Sequence, residues 1–238
     1  FREMPYAKAP GEGNDPIEFT HVVIDEAQDL SVAEASLLGS LVHPKGALTI
    51  SADFNQVVSP VHGMQNPEAV KIGCPIADRE SDLQFPFSKN MRQTKQITNF
   101  LRAFYSKAFG MMAPFKANDG AEDVKPQLNL LKRKEHPARI KQLFSVLQRS
   151  KTIKTIALLQ VNEDHDEMRK IRESLAALGV SLAKEWVPYG NDGQLVTTSV
   201  ERIKGLEYDC CFILGLDDIE KSHLKYTVNR VYVALSRP

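Results

Sequence analysis

The sequence predicts an α/β protein built on parallel sheets flanked by helices. Three observations predict it. Short apolar runs of strand length alternate along the chain with segments of helical periodicity. The runs are continuous rather than alternating, the pattern of strands covered on both faces. Polar and charged residues follow several of them directly, at the strand ends where open α/β sheets bind ligands.

Taken in order, residues 1–19 are rich in Pro, Gly and Asn and read as loop. Val22-Val23-Ile24 reads as a buried strand running into acids. Ser31-Val32-Ala33-Glu34 is a capping box, and Leu37, Leu38 and Leu41 continue a helix from it. Ala47-Leu48-Thr49-Ile50 reads as a second buried strand. Residues 59–88 carry Pro and Gly with little periodicity, and the stretch near residue 86 reads as a domain boundary. From Thr94 onward Ile97, Phe100, Leu101 and Phe104 recur at helical spacing. A linker is expected over residues 110–126 and a strand over Leu128–Leu131. Ile140, Leu143, Phe144 and Leu147 mark a helix, Ile156–Val161 a strand, and Met168, Ile171, Leu175 and Leu178 a helix closed by Gly179. Leu195–Val200 and Cys210–Leu214 read as further buried strands, whereas Val231–Leu235 fits a strand or a helix.

Composition narrows the function classes. The 238 residues are 42% hydrophobic and 25% charged, which excludes disorder as the main character of the chain. No apolar run reaches the ~18 residues of a membrane span. The first residues lack the pattern of a secretion signal, and position 1 is not Met, which points to a chain cut from a longer one. Thirty basic residues balance thirty acidic ones. A protein coating DNA with a whole face is more basic than this, so a nucleic-acid contact is expected in a local groove. Cys74, Cys210 and Cys211 are too few for a disulfide framework and imply a reduced, cytoplasmic setting. No Cys/His spacing suggests zinc.

Five segments carry candidate chemistry. In Asp25-Glu26-Ala27-Gln28-Asp29, after the first strand, Asp25 has the hard oxygen donors that suit Mg²⁺, and Glu26 can orient or deprotonate a water. Ser51-Ala52-Asp53-Phe54-Asn55-Gln56 is a second strand end, with Gln56 a candidate phosphate sensor. Arg92, in Asn90-Met91-Arg92, is a candidate bidentate phosphate clamp. Lys204-Gly205-Leu206-Glu207 joins a tight turn and a cation to Glu207, a candidate ribose acceptor. Tyr232-Val233-Ala234-Leu235-Ser236-Arg237 ends in a candidate arginine finger. Alone, each segment reads equally as an acidic loop, a solvated turn or a charged connection.

Together and in this order, the five segments resemble the second to sixth motifs of superfamily 1 helicases of the UvrD/Rep type. The resemblance spans residues 23–237. It implies RecA-like parallel sheets of the P-loop NTPase fold, with one partial domain over residues 1–87 (motifs two and three) and a nearly complete second domain over residues 88–238 (motifs four to six). The interval between the fourth and fifth motifs leaves no room for a large 2B insertion. By the same resemblance, ATP and Mg²⁺ are the cofactors and Asp25 is the metal ligand. Glu26 activates the hydrolytic water, Gln56 contacts the γ-phosphate, and Arg92 and Arg237 reach it from the second domain. Glu207 binds the ribose, with Gly205, Lys204 and Gln28 completing the nucleotide site.

The implied activity is that of a DNA helicase core, coupling ATP hydrolysis to movement on single-stranded DNA, 3′ to 5′ by analogy and of the kind used in DNA repair. The fragment itself is expected to be a monomer with no membrane association, and its protein partners are unknown. The family's first motif, the G-x-x-x-x-G-K-[ST] phosphate loop, is absent from these residues, because no Gly-Lys-Ser or Gly-Lys-Thr occurs. The isolated chain is therefore expected to be inactive. Met91 stands where the family has an adenine-packing aromatic, Glu201 where a His is common, and the third motif lacks its base-stacking aromatics. These departures keep open a helicase-like, non-hydrolysing module that binds DNA or a protein. A Mg²⁺-dependent phosphohydrolase built on Asp25, Glu26 and Asp53 is the third reading.

Overall fold

A computed structural model of the chain describes residues 18–59, 63–64, 66–73, 85–117, 125–161, 164–184, 193–217 and 224–238. Residues 1–17 of the loop expected over residues 1–19, Cys74 and the middle of the 110–126 linker lie outside the described residues, and Phe19 is strand rather than loop. The chain is mixed α/β, with two small sheets of parallel strands flanked by helices. It divides into two compact units, Phe1–Phe54 with Val61–Leu83 and Asn55–Pro60 with Gln84–Pro238. Among the described residues no helix is long and apolar enough to cross a membrane.

In the first unit, β1 (Phe19–Ile24) pairs in parallel with β2 (Val42–Ile50), and the strand ends align as Ile24 opposite Ile50. Between them runs α1 (Val32–Ser40). Its capping box forms as the sequence predicts: Ser31 Oγ accepts from Glu34 N–H, and the Glu34 carboxylate accepts from Ser31 N–H. A short helix, α2 (Pro67–Gly73), also lies in this unit; the aperiodic reading of residues 59–88 missed it. Ile24, Ala27, Ala35, Met64 and Val70 make the core, with Val22, Leu48 and Ile50 packed against it.

The sheet departs from the expectation of strands buried on both faces. Val22 and Ile24 point to the helices, but Val23 between them is 69% exposed. Period-two alternation sends it to the opposite face, where His21 Nε2 meets Thr49 Oγ1 at 2.8 Å. β2 also starts five residues before the expected Ala47, through Pro44, Lys45 and Gly46. The register slips between Phe19 and His21, and Gly46 sits where the chains crowd. A Cβ there would meet His43 and Thr20 carbonyl oxygens at 2.9 Å, so only glycine fits.

The second unit has a three-stranded parallel sheet in the order β4-β3-β5, from β3 (Ile156–Gln160), β4 (Leu195–Ser199) and β5 (Cys210–Leu214). Here the continuous apolar run means what it predicts, because every residue of β3 is buried. Ile156 and Leu158 face α4 (His136–Leu147) and α5 (His165–Ala177) through Ile140, Phe144, Ile171 and Leu175. Ala157, Leu159 and Val161 face Val231, Val233 and Ala234 of α6 (Leu224–Leu235). The ambiguous Val231–Leu235 run is therefore helix. Each fully buried leucine of β3 contributes roughly 1.5–3 kcal/mol relative to exposure.

α3 (Lys95–Phe109) begins where the helical pattern starts, with Thr94 as its cap: Thr94 Oγ1 accepts from Ile97 N–H, and Gly110 closes the helix in a left-handed conformation. Of the expected stripe, Leu101 is buried and Ile97 and Phe104 pack against the core, with Phe100 the exception. Thr98 and Tyr105 are buried as well. Tyr105 packs among aromatics, meeting Tyr232 of α6 edge-on at 5.7 Å between centroids and Phe109 at 4.7 Å. The strand expected over Leu128–Leu131 does not form, and Leu128 and Leu130 are exposed in extended chain with no strand partner among the described residues.

Candidate functional site

Two clusters hold the predicted site residues, one in each unit. The first sits at the carboxyl ends of β1 and β2. Ser51 N–H donates to Ile24 carbonyl oxygen and Ala27 N–H to Ser51 carbonyl oxygen, both at 2.9 Å, which ties the two post-strand loops together. Asp25 Oδ1 accepts from the Ser51 hydroxyl and, at 2.9 Å, from Glu26 N–H. Both carboxylates are exposed.

Glu26 adopts φ 52°, ψ 41° and is the one non-glycine residue in the left-handed region among the described residues. An L-residue pays of order 1–3 kcal/mol for such backbone, which persists only where neighbours hold it. Gln28 is the holder. Its side chain is fully buried, its Nε2 donates to the Glu26 carboxylate, and its Oε1 accepts from Asp53 N–H at 3.0 Å. A buried amide thus fixes a strained, exposed carboxylate beside a second carboxylate. The resemblance implies that Gln28 belongs to a nucleotide site; in the structure its amide is buried between the Glu26 carboxylate and the Asp53 N–H.

The chemistry of this cluster fits Mg²⁺. Asp25 and Ser51 present hard oxygen donors, and magnesium bound with a nucleotide needs only one or two carboxylates because phosphates and waters fill its octahedron. Among the described residues no group of three or more His, Cys, Asp or Glu gathers into an all-protein metal site.

The second cluster is held together by residues far apart in sequence. The segment Asn55–Val58 is anchored within its own unit: Asn55 Nδ2 donates to Tyr105 Oη and Asn229 Nδ2 to Val57 carbonyl oxygen, both at 2.8 Å. This seats Gln56, whose Oε1 accepts from an Arg237 terminal nitrogen at 2.8 Å across 181 residues of chain. Arg237 is only 2% exposed, and it also donates to Val233 carbonyl oxygen and Ser236 Oγ, both at 3.1 Å. A fixed, nearly desolvated guanidinium of this kind is unusual, because arginine is rarely fully buried.

Arg92 lies in a turn in which its own N–H donates to Asn90 Oδ1 at 3.0 Å. Its guanidinium pairs with Glu207, both side chains remaining well exposed, so the pair has little bearing on stability. The predicted phosphate clamp and the predicted ribose acceptor therefore meet each other. Lys204 and Gly205 close the turn after β4, where Gly205 has φ 75° and Leu206 N–H reaches Ile203 carbonyl oxygen at 3.0 Å. Ile203 is fully buried and anchors the turn in the core. An open cleft of about 320 Å³ is lined by Gln56, Asn90, Arg92, Gln93, Tyr232 and Ser236 among others. Lys204, Gly205 and Glu207 are not among its lining residues.

Gln93 was not legible as a site residue, because a glutamine just before a helix cap reads as solvated. It is buried, and it bridges the Asn90 turn to Ser236. Asp209 was missed as well. It ties the start of β5 to β3 by accepting from Lys154 N–H and Thr155 N–H at 2.8 Å and from the Thr155 hydroxyl at 3.0 Å. Partial burial pushes its carboxyl upward, but these hydrogen bonds and the Lys154 charge outweigh that and hold it below the ordinary carboxylate range. Cys210 and Cys211 are free thiols whose ionisation burial disfavours. Burial, with the Asp209 charge, pushes Cys210 up to about 11, and deeper burial pushes Cys211 higher still.

Neither a family model nor a curated protein matches this chain.

Proposed function

We propose that this chain belongs to the ATPase core of a single-stranded DNA translocase of the UvrD/Rep helicase type, on the P-loop NTPase fold. The observation that carries the reading is the hydrogen bond between Gln56 and Arg237. Two side chains read separately as γ-phosphate ligands stand on one another, 181 residues apart in sequence. Arg237 is nearly desolvated and fixed by its own helix end, and a preorganised guanidinium of this kind suits a concentrated negative charge such as a transferring phosphoryl group. The acidic cluster supplies the complementary half of the chemistry.

In this reading Asp25, kept oriented by Ser51, is the Mg²⁺ ligand. The metal, when bound, neutralises charge on the transferring phosphoryl group. Glu26 is the general base, and the Gln28 amide holds its carboxylate in one pose. Arg92 exchanges Glu207 for phosphate, which leaves Glu207 to accept from ribose. The phosphate-cradling loop has to come from outside these 238 residues.

The test is ATP hydrolysis by the full-length gene product with and without single-stranded DNA. Stimulated hydrolysis is expected, and Glu26→Gln should lower kcat by about a hundredfold or more while leaving ATP binding intact. Hydrolysis that survives Glu26→Gln at the wild-type rate overturns the assignment. DNA or protein binding by the full-length protein with no hydrolysis at all points instead to the non-hydrolysing module.

A further inference from the structure

We infer that Gln93 is a positioning residue that locks the two arginine-bearing segments together and so sets the pose of Arg237. The inference rests on the translocase reading for its catalytic consequence but not for its geometry. Gln93 is 7% exposed, in the turn that precedes α3. Its Nε2 donates to the carbonyl oxygen of Ser236, across 143 residues of chain. Its Oε1 accepts from Asn90 Nδ2, and its own N–H donates to Asn90 Oδ1 at 3.2 Å. The same Asn90 oxygen accepts from Arg92 N–H.

One buried amide is thus fully engaged on both sides. On one side it orders the turn that carries Arg92. On the other it holds the peptide group joining Ser236 to Arg237. The Ser236 carbonyl lies just beyond α6, where helix carbonyl groups lack intrahelical donors. The Gln93 amide supplies a donor that the backbone there does not. Removing it frees the Ser236–Arg237 peptide to rotate, and with it the base of the arginine side chain. Misplacement of a catalytic group by about 1 Å is enough to cost up to about a hundredfold in rate.

Two variants separate this role from simple packing. Gln93→Met keeps the volume and loses every hydrogen bond of the side chain. Gln93→Glu keeps the length and the acceptor for Asn90 but loses the donor to Ser236. Both are made in the full-length protein and measured in two ways. The first is DNA-stimulated ATPase, in which kcat should fall about tenfold or more with KM for ATP within about twofold of wild type. The second is phenylglyoxal modification followed by mass spectrometry. Arg237 should be protected in wild type and modified in both variants, with the exposed Arg92 serving as the reactive reference. Arg237 remaining as protected as in wild type, or both variants retaining wild-type kcat, overturns the inference. A wild-type protein without ATPase overturns the translocase reading instead, and the modification pattern still decides whether Gln93 holds Arg237.

Discussion

Gln28→Leu should loosen the acidic cluster without disturbing the rest of the chain. The wild-type amide is fully buried and makes one bond to the Glu26 carboxylate and one to Asp53 N–H. Losing the neutral bond costs about 1 kcal/mol. Losing the bond to the carboxylate costs about 1.5 kcal/mol, the low end for a charged acceptor, because Glu26 is exposed and water can replace the donor. Leucine returns about 1 kcal/mol through extra apolar burial. The net loss of about 1.5 kcal/mol corresponds to roughly tenfold in an equilibrium constant. The direct assay is amide hydrogen exchange, in which local opening is read residue by residue. The Asp53 amide should exchange roughly tenfold faster in the variant, while Leu158, in the buried strand of the other unit, should be unchanged. An Asp53 amide exchanging at the wild-type rate would show that Gln28 does not hold the two loops together, and the account of the strained Glu26 would fall with it.

Two further outcomes concern stability. Asp209→Asn should destabilise the protein at neutral pH. Because the folded-state pKa of Asp209 lies below its ordinary value of 3.8, its stabilising contribution is complete above that value and is lost as pH falls through the folded pKa. The gap between wild type and variant in urea midpoint should thus be constant above about pH 5 and shrink in stronger acid. Glu201→Ala should lower the thermal midpoint by roughly 5 °C, the equivalent of about 2 kcal/mol in a protein of this size, because it strips the ion partner from a largely buried Arg230. A melting curve equal to wild type would refute that pairing.

Local signals in the sequence were strong where a single element suffices to generate them. The Ser31–Glu34 capping box, the Thr94 cap and the Gly179 terminus are complete within a few residues, and each forms. β3 was legible because a strand buried on both faces is apolar on both, with only Gln160 at its end polar. Leu128–Leu131 is similarly apolar but has no strand partner among the described residues, and a strand without a partner does not form. Val23 shows the reverse error. Its apolar side chain fits a covered sheet, but its exposure is set by which face the helices take, and that is not written in a three-residue run. The seven residues of α2 start at Pro67 and leave Ile72 exposed, so no apolar stripe announces them.

The site divides along the same line. Asp25, Glu26 and Arg92 could be named from the sequence because strand ends and turns place chemistry at predictable points. Gln28 and Gln56 could be named too, but not their role as supports, which rests on contacts to Asp53 and Arg237 far along the chain. The left-handed φ of Glu26 follows from a buried glutamine two residues on, and the pose of Arg237 from glutamines at positions 56 and 93. All three are glutamines, whose amide offers both a donor and an acceptor and carries no charge to desolvate. That property suits a residue meant to fix a charged group from beneath, because a carboxylate or ammonium in the same place would shift the charge balance of the site it supports.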